Sequence, residues 1–279
     1  MEDKKLKYFV GGFLPSEEDP RDYTLEKVSV MSAAPLPEEY RTEGKVPVLN
    51  QGANSDCVAH AIAVASAYGQ YKINENFNDF SRGYIYGNRR ATDYQGEGMY
   101  VRQALKNFNH DGDCLNVDFP YRGSYPKMKA KIAEKPEEYK EKASKSKLVN
   151  YFRLYSEEEV KRALISHGAV VVGITVYSSF GTHAKVPTKK DKKSGGHAMC
   201  CVGWNKDGWI IQNSWGRFWG DKGYCYLPYE YPVDEWWGLT MSNTIPEPKI
   251  DNWFKRLIAC FKNFWKKLKV IFSKNNKQN

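Results

Sequence analysis

Apolar residues dominate one stretch of this chain so fully that the polar ones become the exception. From Cys57 the order Cys-Val-Ala-His-Ala-Ile-Ala-Val-Ala-Ser-Ala-Tyr is rich in alanine and apolar nearly throughout. Alanine has the strongest helix propensity, and a helix that is apolar on all sides belongs inside a core. Asn54, Ser55 and Asp56 come just before it. Their side-chain oxygens suit a helix N-terminus, so the helix is expected to begin at or just before Cys57. Helical spacing recurs from about Met99 to Phe108 and over Glu157 to Ser166, the latter with acids in its first turn.

Beyond Gly168 the texture changes to short β-rich runs separated by Gly, Asp and Lys clusters: Ala169-Val-Val-Val-Gly-Ile-Thr-Val-Tyr, Ala198-Met-Cys-Cys-Val-Gly-Trp, Gly208-Trp-Ile-Ile-Gln and Gly223-Tyr-Cys-Tyr-Leu. Helices followed by strands, with no internal repeat, predict an α+β protein of two lobes. Residues 1–45 hold Pro15, Pro20, Pro35 and Pro37 with little periodicity and read as an extended arm lying on the body. The main body then spans 46–245, with a helical lobe to about residue 150 and a β lobe over 151–245. The lysine-rich stretch from Lys127 to Lys147, interleaved with glutamate, reads as a solvated connector or exposed helix.

After Pro246-Glu-Pro248, residues Ile250, Phe254, Leu257, Phe261, Phe264, Leu268 and Ile271 recur at steps of four and three, which is a helical stripe. Lysines take the opposite face, so residues 246–279 are read as a Pro linker and a basic amphipathic helix. Such a helix suits an anionic membrane surface, a protein partner or packing back onto the body. The tail also relocates the charge. Residues 249–279 hold nine Lys or Arg against Asp251 alone, so eight of the nine net positive charges lie there. The rest of the chain is nearly neutral, and no nucleic-acid groove is expected on it.

The first residues carry charges and no apolar stretch of signal-peptide length, so the default expectation is a cytoplasmic protein, with the tail as a route to peripheral membrane contact. No run is long enough to span a bilayer. Six cysteines without Cys-x-x-Cys spacing predict free thiols, no zinc site and no cofactor.

A cysteine at a helix N-terminus sits where backbone N–H groups stabilise a thiolate, which makes Cys57 a candidate nucleophile. Its company strengthens the case. Asn50-Gln51-Gly52 lies upstream, with Gln51 six residues before Cys57. Gly195-Gly196-His197-Ala198 and Gln212-Asn213-Ser214-Trp215-Gly216 lie downstream, with Asn213 sixteen residues after His197.

On these motifs, and on the closing Gly220-Asp-Lys-Gly-Tyr-Cys-Tyr, the sequence resembles the papain-like cysteine peptidases over roughly residues 38 to 240. It looks most like a bacterial branch that also has the Asp19-Pro-Arg-Asp-Tyr arm, Pro120-Tyr121 and Leu227-Pro-Tyr-Glu-Tyr, and that lacks a long helical prosegment. The resemblance implies a two-lobe fold, with a helical lobe, an antiparallel β-barrel-like lobe and an active-site cleft between them. It implies that Cys57 is the nucleophile, His197 the general base, Asn213 the residue orienting that base, and Gln51 an oxyanion donor beside the Cys57 backbone N–H. Trp215 would shield the His197–Asn213 bond. Gly96-Glu97-Gly98 looks like the strand on which relatives pair the substrate backbone. Gly96, Gly98, Gly196 and Trp215 are therefore the substrate-binding candidates, and the expected partner is a protein or peptide substrate.

The pattern also departs from the family. Asn54, Ser55-Asp56 and Val58 stand where a Cys, Gly-Ser and Trp are usual. A carboxylate beside the nucleophile opposes a thiolate, so Asp56 is expected to turn into the helix N-terminus as a cap. His60, one turn after Cys57, is read as structural. The competing reading of the whole chain is a catalytically silent scaffold of this fold that binds membranes or assemblies through its tail.

Overall fold

Helix and sheet meet along the buried alanine-rich segment. The computed structural model describes residues 11–28, 34–90 and 96–243. The elements in chain order are β1 (Phe13–Leu14), α1 (Leu25–Val28), β2 (Tyr40–Arg41), α2 (Cys57–Asn74), α3 (Arg82–Gly87), β3 (Met99–Tyr100), α4 (Val101–Asp111), α5 (Tyr125–Glu134), α6 (Pro136–Ser144), β4 (Leu148–Leu154), α7 (Glu157–His167), β5 (Val170–Tyr177), β6 (Lys193–Asn205), β7 (Gly208–Gln212), β8 (Tyr224–Leu227) and β9 (Val233–Met241). Residues 57–70 of α2 are all buried, as an all-round apolar sequence requires.

Seven strands form one antiparallel sheet in the order β4-β9-β5-β6-β7-β8, with β2 added on β6. The ladder is open, β4 and β8 being its ends. Strand alternation divides the core in two. Ala198, Cys200 and Val202 of β6 pack with α2, whereas Met199, Cys201 and Trp204 enter a second core with Val160, Ala163 and Leu164 of α7. The α7 helix starts with a complete capping box, Ser156 with Glu159.

The expected helices and strands are present, and the differences have physical causes. Met99–Tyr100 pairs as a strand before α4 begins. The lysine-rich stretch is two helices rather than a connector. Met128, Tyr139 and Ala143 are buried beneath it, while pairs such as Lys142–Glu138 at 2.9 Å and Lys145–Glu141 at 2.8 Å lie on its outer face.

The arm is more than an overlay. It contributes β1, which runs parallel to β3, and β2 on the main sheet. The tail over 246–279, with its expected amphipathic helix, lies outside the described residues. Among the described residues no helix is long and apolar enough to cross a membrane. The described cysteines, Cys57, Cys114, Cys200, Cys201 and Cys225, are free thiols.

Candidate active site

The first residue of α2 is Cys57, and its thiol is fully buried. The Ala198 backbone N–H helps to stabilise its ionised form, which places the sulfur beside the residue that follows His197. His197 lies on β6 and Asn213 directly follows β7, the neighbouring strand, whose ladder with β6 closes at Cys200 opposite Gln212.

His197 Nε2 lies 2.8 Å from Asn213 Oδ1. The same Asn213 oxygen accepts the Ser214 backbone N–H at 2.7 Å. A backbone N–H can only donate, so the atom facing it is the amide oxygen, and His197 must carry its proton on Nε2. That leaves Nδ1 as the unprotonated nitrogen, buried and without a hydrogen-bond partner. Trp215 stacks on the imidazole with centroids 4.7 Å apart and 25° between the planes, covering this bond.

Gln51 reaches the same place from the loop before α2. Its backbone N–H donates to Ser214 O at 2.9 Å, and its side-chain oxygen accepts from Ser214 Oγ at 2.6 Å. Its Nε2 donates to Asn54 O at 2.8 Å, which uses one of its two protons and leaves the other for a substrate oxygen. The structure thus brings Gln51, Cys57, His197, Asn213 and Trp215 together.

What covers Cys57 is the chain's own arm. Gly11 N–H donates to Gly196 O at 2.9 Å, and Met99 N–H donates to Gly12 O at 2.9 Å, so the arm bonds to both walls of the cleft. A methyl group added at Gly12 would meet the Ser55 carbonyl at 2.6 Å and Cys57 Sγ at 3.0 Å. The Phe13 ring lies against Gly173, and its carbonyl abuts the space beside Gly196 where a side chain would stand. Glycine at 196 therefore serves close approach, as does Gly98, whose missing side chain would meet Gly12 O at 2.9 Å. Gly96 does not, since a side chain there would meet nothing within 4 Å.

Behind the blocking residues the arm is anchored by buried polar groups. Ser16 N–H and Oγ donate to Glu235 at 3.1 and 3.3 Å, and Arg102 clasps Asp22 at 2.8 and 2.6 Å. Arg153 stands 4.0 Å from both Asp22 and Glu235. The Asp19-Pro-Arg-Asp-Tyr motif thus supplies, in Asp22, the arm's ionic anchor.

Burial decides the electrostatics. Burial pushes the Cys57 thiol up to about 12, outweighing the N–H groups of Ala198, Val58 and Cys57 itself, and the nearby Asp56 carboxylate adds to the rise. Burial also pulls His197 down to about 4, against the favourable Asn213 bond, with the neighbouring His60 adding to the fall. In this covered state burial favours the neutral thiol and the neutral imidazole. Desolvation thus works against the thiolate expected from the helix terminus.

Asp56 departs from expectation as well. It is the N-cap residue by position, yet its side chain caps nothing. Its fully buried carboxylate instead accepts from the Tyr121 hydroxyl at 2.6 Å and lies 3.4 Å from His60 Nδ1. Tyr121, Ser214, Phe13 and Glu235 were not among the candidate residues. Pro120-Tyr121 stands out as a motif, whereas nothing in the sequence marks Glu235, and each acquires its role only through partners distant in sequence.

Comparisons with known proteins agree with this geometry. Residues 35–241 match the model of the papain family cysteine proteases. An uncharacterized peptidase C1-like protein of Acanthamoeba polyphaga mimivirus is 33% identical over 210 residues, covering 67% of this chain and 66% of the relative. Cysteine proteinase 1 of Entamoeba histolytica is 26% identical over 214 residues, covering 71% of this chain and 64% of that protein. The chain thus spans just under two thirds of the length of these curated relatives.

Among solved structures, xylellain, a cysteine protease from Xylella fastidiosa, superimposes with a TM-score of 0.71 at 26% identity, covering 84% of this chain and 97% of that one. The procathepsin B of Trypanosoma congolense shares the fold, with a TM-score of 0.66 at 19% identity over 85% of this chain and 87% of that one. The chain belongs to the papain family of cysteine proteases.

Proposed function

We propose that this chain hydrolyses peptide bonds through a thioester on Cys57, in the state in which residues 11–14 have left the cleft. The observation that supports it most is the His197–Asn213 bond at 2.8 Å, because it keeps the proton on Nε2 and leaves Nδ1 free to act as a base. Nδ1 takes the Cys57 proton as the sulfur attacks the carbonyl carbon of the scissile bond. The carbonyl electrons move onto oxygen, where the Cys57 backbone N–H and the remaining Gln51 Nε2 proton receive the charge. Collapse expels the amine, which takes the proton from His197. Water, deprotonated by the same nitrogen, then splits the thioester and regenerates the thiol. None of these steps calls for a metal or an organic cofactor.

The arm makes this a two-state enzyme. With Gly12 over the sulfur, no carbonyl can reach Cys57, so turnover follows the fraction of molecules whose arm is displaced. The test is exposure of purified protein to an epoxide inhibitor of papain-type enzymes, with casein hydrolysis measured in parallel. Adduct on the Cys57 peptide, accompanied by loss of casein cleavage, is the expected result. Casein cleavage that persists in Cys57→Ala would remove the reading.

A further inference from the structure

We infer that Tyr121 is a positioning residue whose hydroxyl, through the buried Asp56 carboxylate, holds the oxyanion-binding side of the site in register with the nucleophile. The assignment rests on the peptidase reading above. Residues 51–56 form no strand, so their placement depends on individual hydrogen bonds, and three polar contacts of this segment meet at one atom. The Tyr121 hydroxyl lies 2.6 Å from Asp56 Oδ2 and 3.3 Å from Gln51 O, and it accepts from Asn54 Nδ2 at 3.0 Å.

A phenol has one proton, and the shorter distance and the charge of the acceptor give it to Asp56. Asn54 Nδ2 spends its other proton on Gln51 O at 2.8 Å, while Gln51 Nε2 returns a bond to Asn54 O at 2.8 Å. Tyr121 therefore links Asp56, the residue before the nucleophile, to the closed Gln51–Asn54 pair that presents the oxyanion donor. The hydroxyl is fixed from behind: the ring meets His60 edge-on at 5.1 Å, and Tyr121 N–H donates to Asn116 Oδ1 at 3.2 Å. Asp56 and His60 are both fully buried, so the carboxylate draws on the phenol as a donor. The carboxylate that looked ill-placed beside a thiolate acquires a use, as a strong acceptor for this link.

The assignment separates two properties of the site that a merely structural role would move together. Acyl transfer needs the oxyanion donors, whereas alkylation of Cys57 by iodoacetamide forms no oxyanion. In the full chain, Tyr121→Phe should lower the casein turnover number about tenfold, since a donor is misplaced rather than deleted. KM and the iodoacetamide rate should stay within about twofold of the parent.

Asp56→Asn and Asp56→Ala both remove the charge, but only Asn retains an acceptor for the phenol. Asn should keep turnover close to the parent, and Ala should lose as much as Tyr121→Phe, with the double variant Tyr121→Phe/Asp56→Ala falling no further. Parental turnover in Tyr121→Phe, an equal fall in turnover and alkylation, or equal turnover in Asp56→Asn and Asp56→Ala would each overturn the assignment. If Tyr121→Phe does not fold, the Asn/Ala pair decides alone. A parent chain without Cys57-dependent hydrolysis removes the peptidase reading and this assignment together, which tells that failure apart from the others.

Discussion

The two walls of the cleft are built by different means. His197 is on β6 and Asn213 directly follows the last residue of β7, and the β6–β7 ladder, with Cys201 opposite Ile211 and Cys200 opposite Gln212, aligns the two strands through backbone bonds that no side-chain substitution removes. Gln51 and the approach to Cys57 have no ladder behind them beyond the isolated bridge of Asn50 with Trp215. Beside one backbone bond, from Gln51 N–H to Ser214 O, they rely on bonds made by the side chains of Gln51, Asn54, Ser214 and Tyr121. One wall is placed by register and the other by a handful of contacts from distant parts of the chain. Substitutions near the sheet wall should therefore act through the substituted group alone, while substitutions near the loop wall should also act through position.

The largest effect asks whether the two walls form one site at all. Cys57→Ala and His197→Ala should each reduce hydrolysis by about 10⁴-fold or more, and the double variant should be no worse, since nucleophile and base work as a unit. Thermal unfolding should still be cooperative in each. Additive losses in the double variant would mean that the residues act separately.

Next come the two supporting residues. Gln51→Ala removes an oxyanion donor and should cost on the order of 10²–10³ in kcat. It also breaks the closed pair with Asn54 and the bond from Ser214. Asn213→Ala should cost on the order of 10²–10⁴ by freeing the His197 proton to move to Nδ1. The iodoacetamide rate distinguishes them. It should fall with Asn213→Ala, which disables the base, and hold with Gln51→Ala. The reverse pattern would invert the roles given to the two walls.

These contrasts follow what the sequence made legible. The α2 segment announced itself by composition, and the β6–β7 pair by β-rich runs flanking the Gly-His and Asn-Ser-Trp motifs, because register and periodicity are local. Strands β4 and β9 were missed. Their alternation is broken by Asn150 and Arg153 in one and by Asp234 and Glu235 in the other, and Arg153 and Glu235 are buried charges whose reason lies in the arm. Asp56 was misread for the same reason: its cap position is visible in sequence, whereas its partner Tyr121 lies 65 residues away. The Gly11-Gly12-Phe13 run has no periodicity at all, and its place over Cys57 emerges only from bonds to Gly196 and Met99.

A smaller change tests the cover over both walls. Phe13→Asp removes the ring from its place against Gly173 and sets a carboxylate in an apolar pocket, which favours the displaced arm. Turnover and Cys57 alkylation should rise about tenfold at pH 7, corresponding to ~1.4 kcal/mol of shifted equilibrium. The midpoint of alkylation against pH should fall from about 12 toward the ordinary thiol range, as water returns to the sulfur. An unchanged midpoint would show that burial by the arm is not what holds the thiol neutral.

The smallest effect separates the cleft from its scaffold by pH. Two histidines are held by burial near about 4, His197 in the cleft and His167 at the end of α7, where its ring lies 5.0 Å from Phe152. Both are depressed below their unfolded value, so below about pH 6.5 the unfolded chain binds protons that the folded chain refuses. Each therefore contributes stability that is present above that pH and is lost as pH falls toward 4. His167 is only partly buried, so its share is about 1 kcal/mol across the window. In His167→Gln the slope of unfolding free energy between pH 6.5 and 4 should flatten by that amount, whether or not the arm is in place. In Phe13→Asp the slope should flatten for a different reason, since His197 regains water and its depression shrinks. Denaturant titrations of the parent, both single variants and the double variant at pH 6.5, 5.2 and 4 measure this directly. The two flattenings should add, because one histidine reports on the arm and the other does not. Equal slopes in the parent and His167→Gln would remove His167 from the account, and a His167 effect that vanished in the Phe13→Asp background would tie the scaffold to the arm.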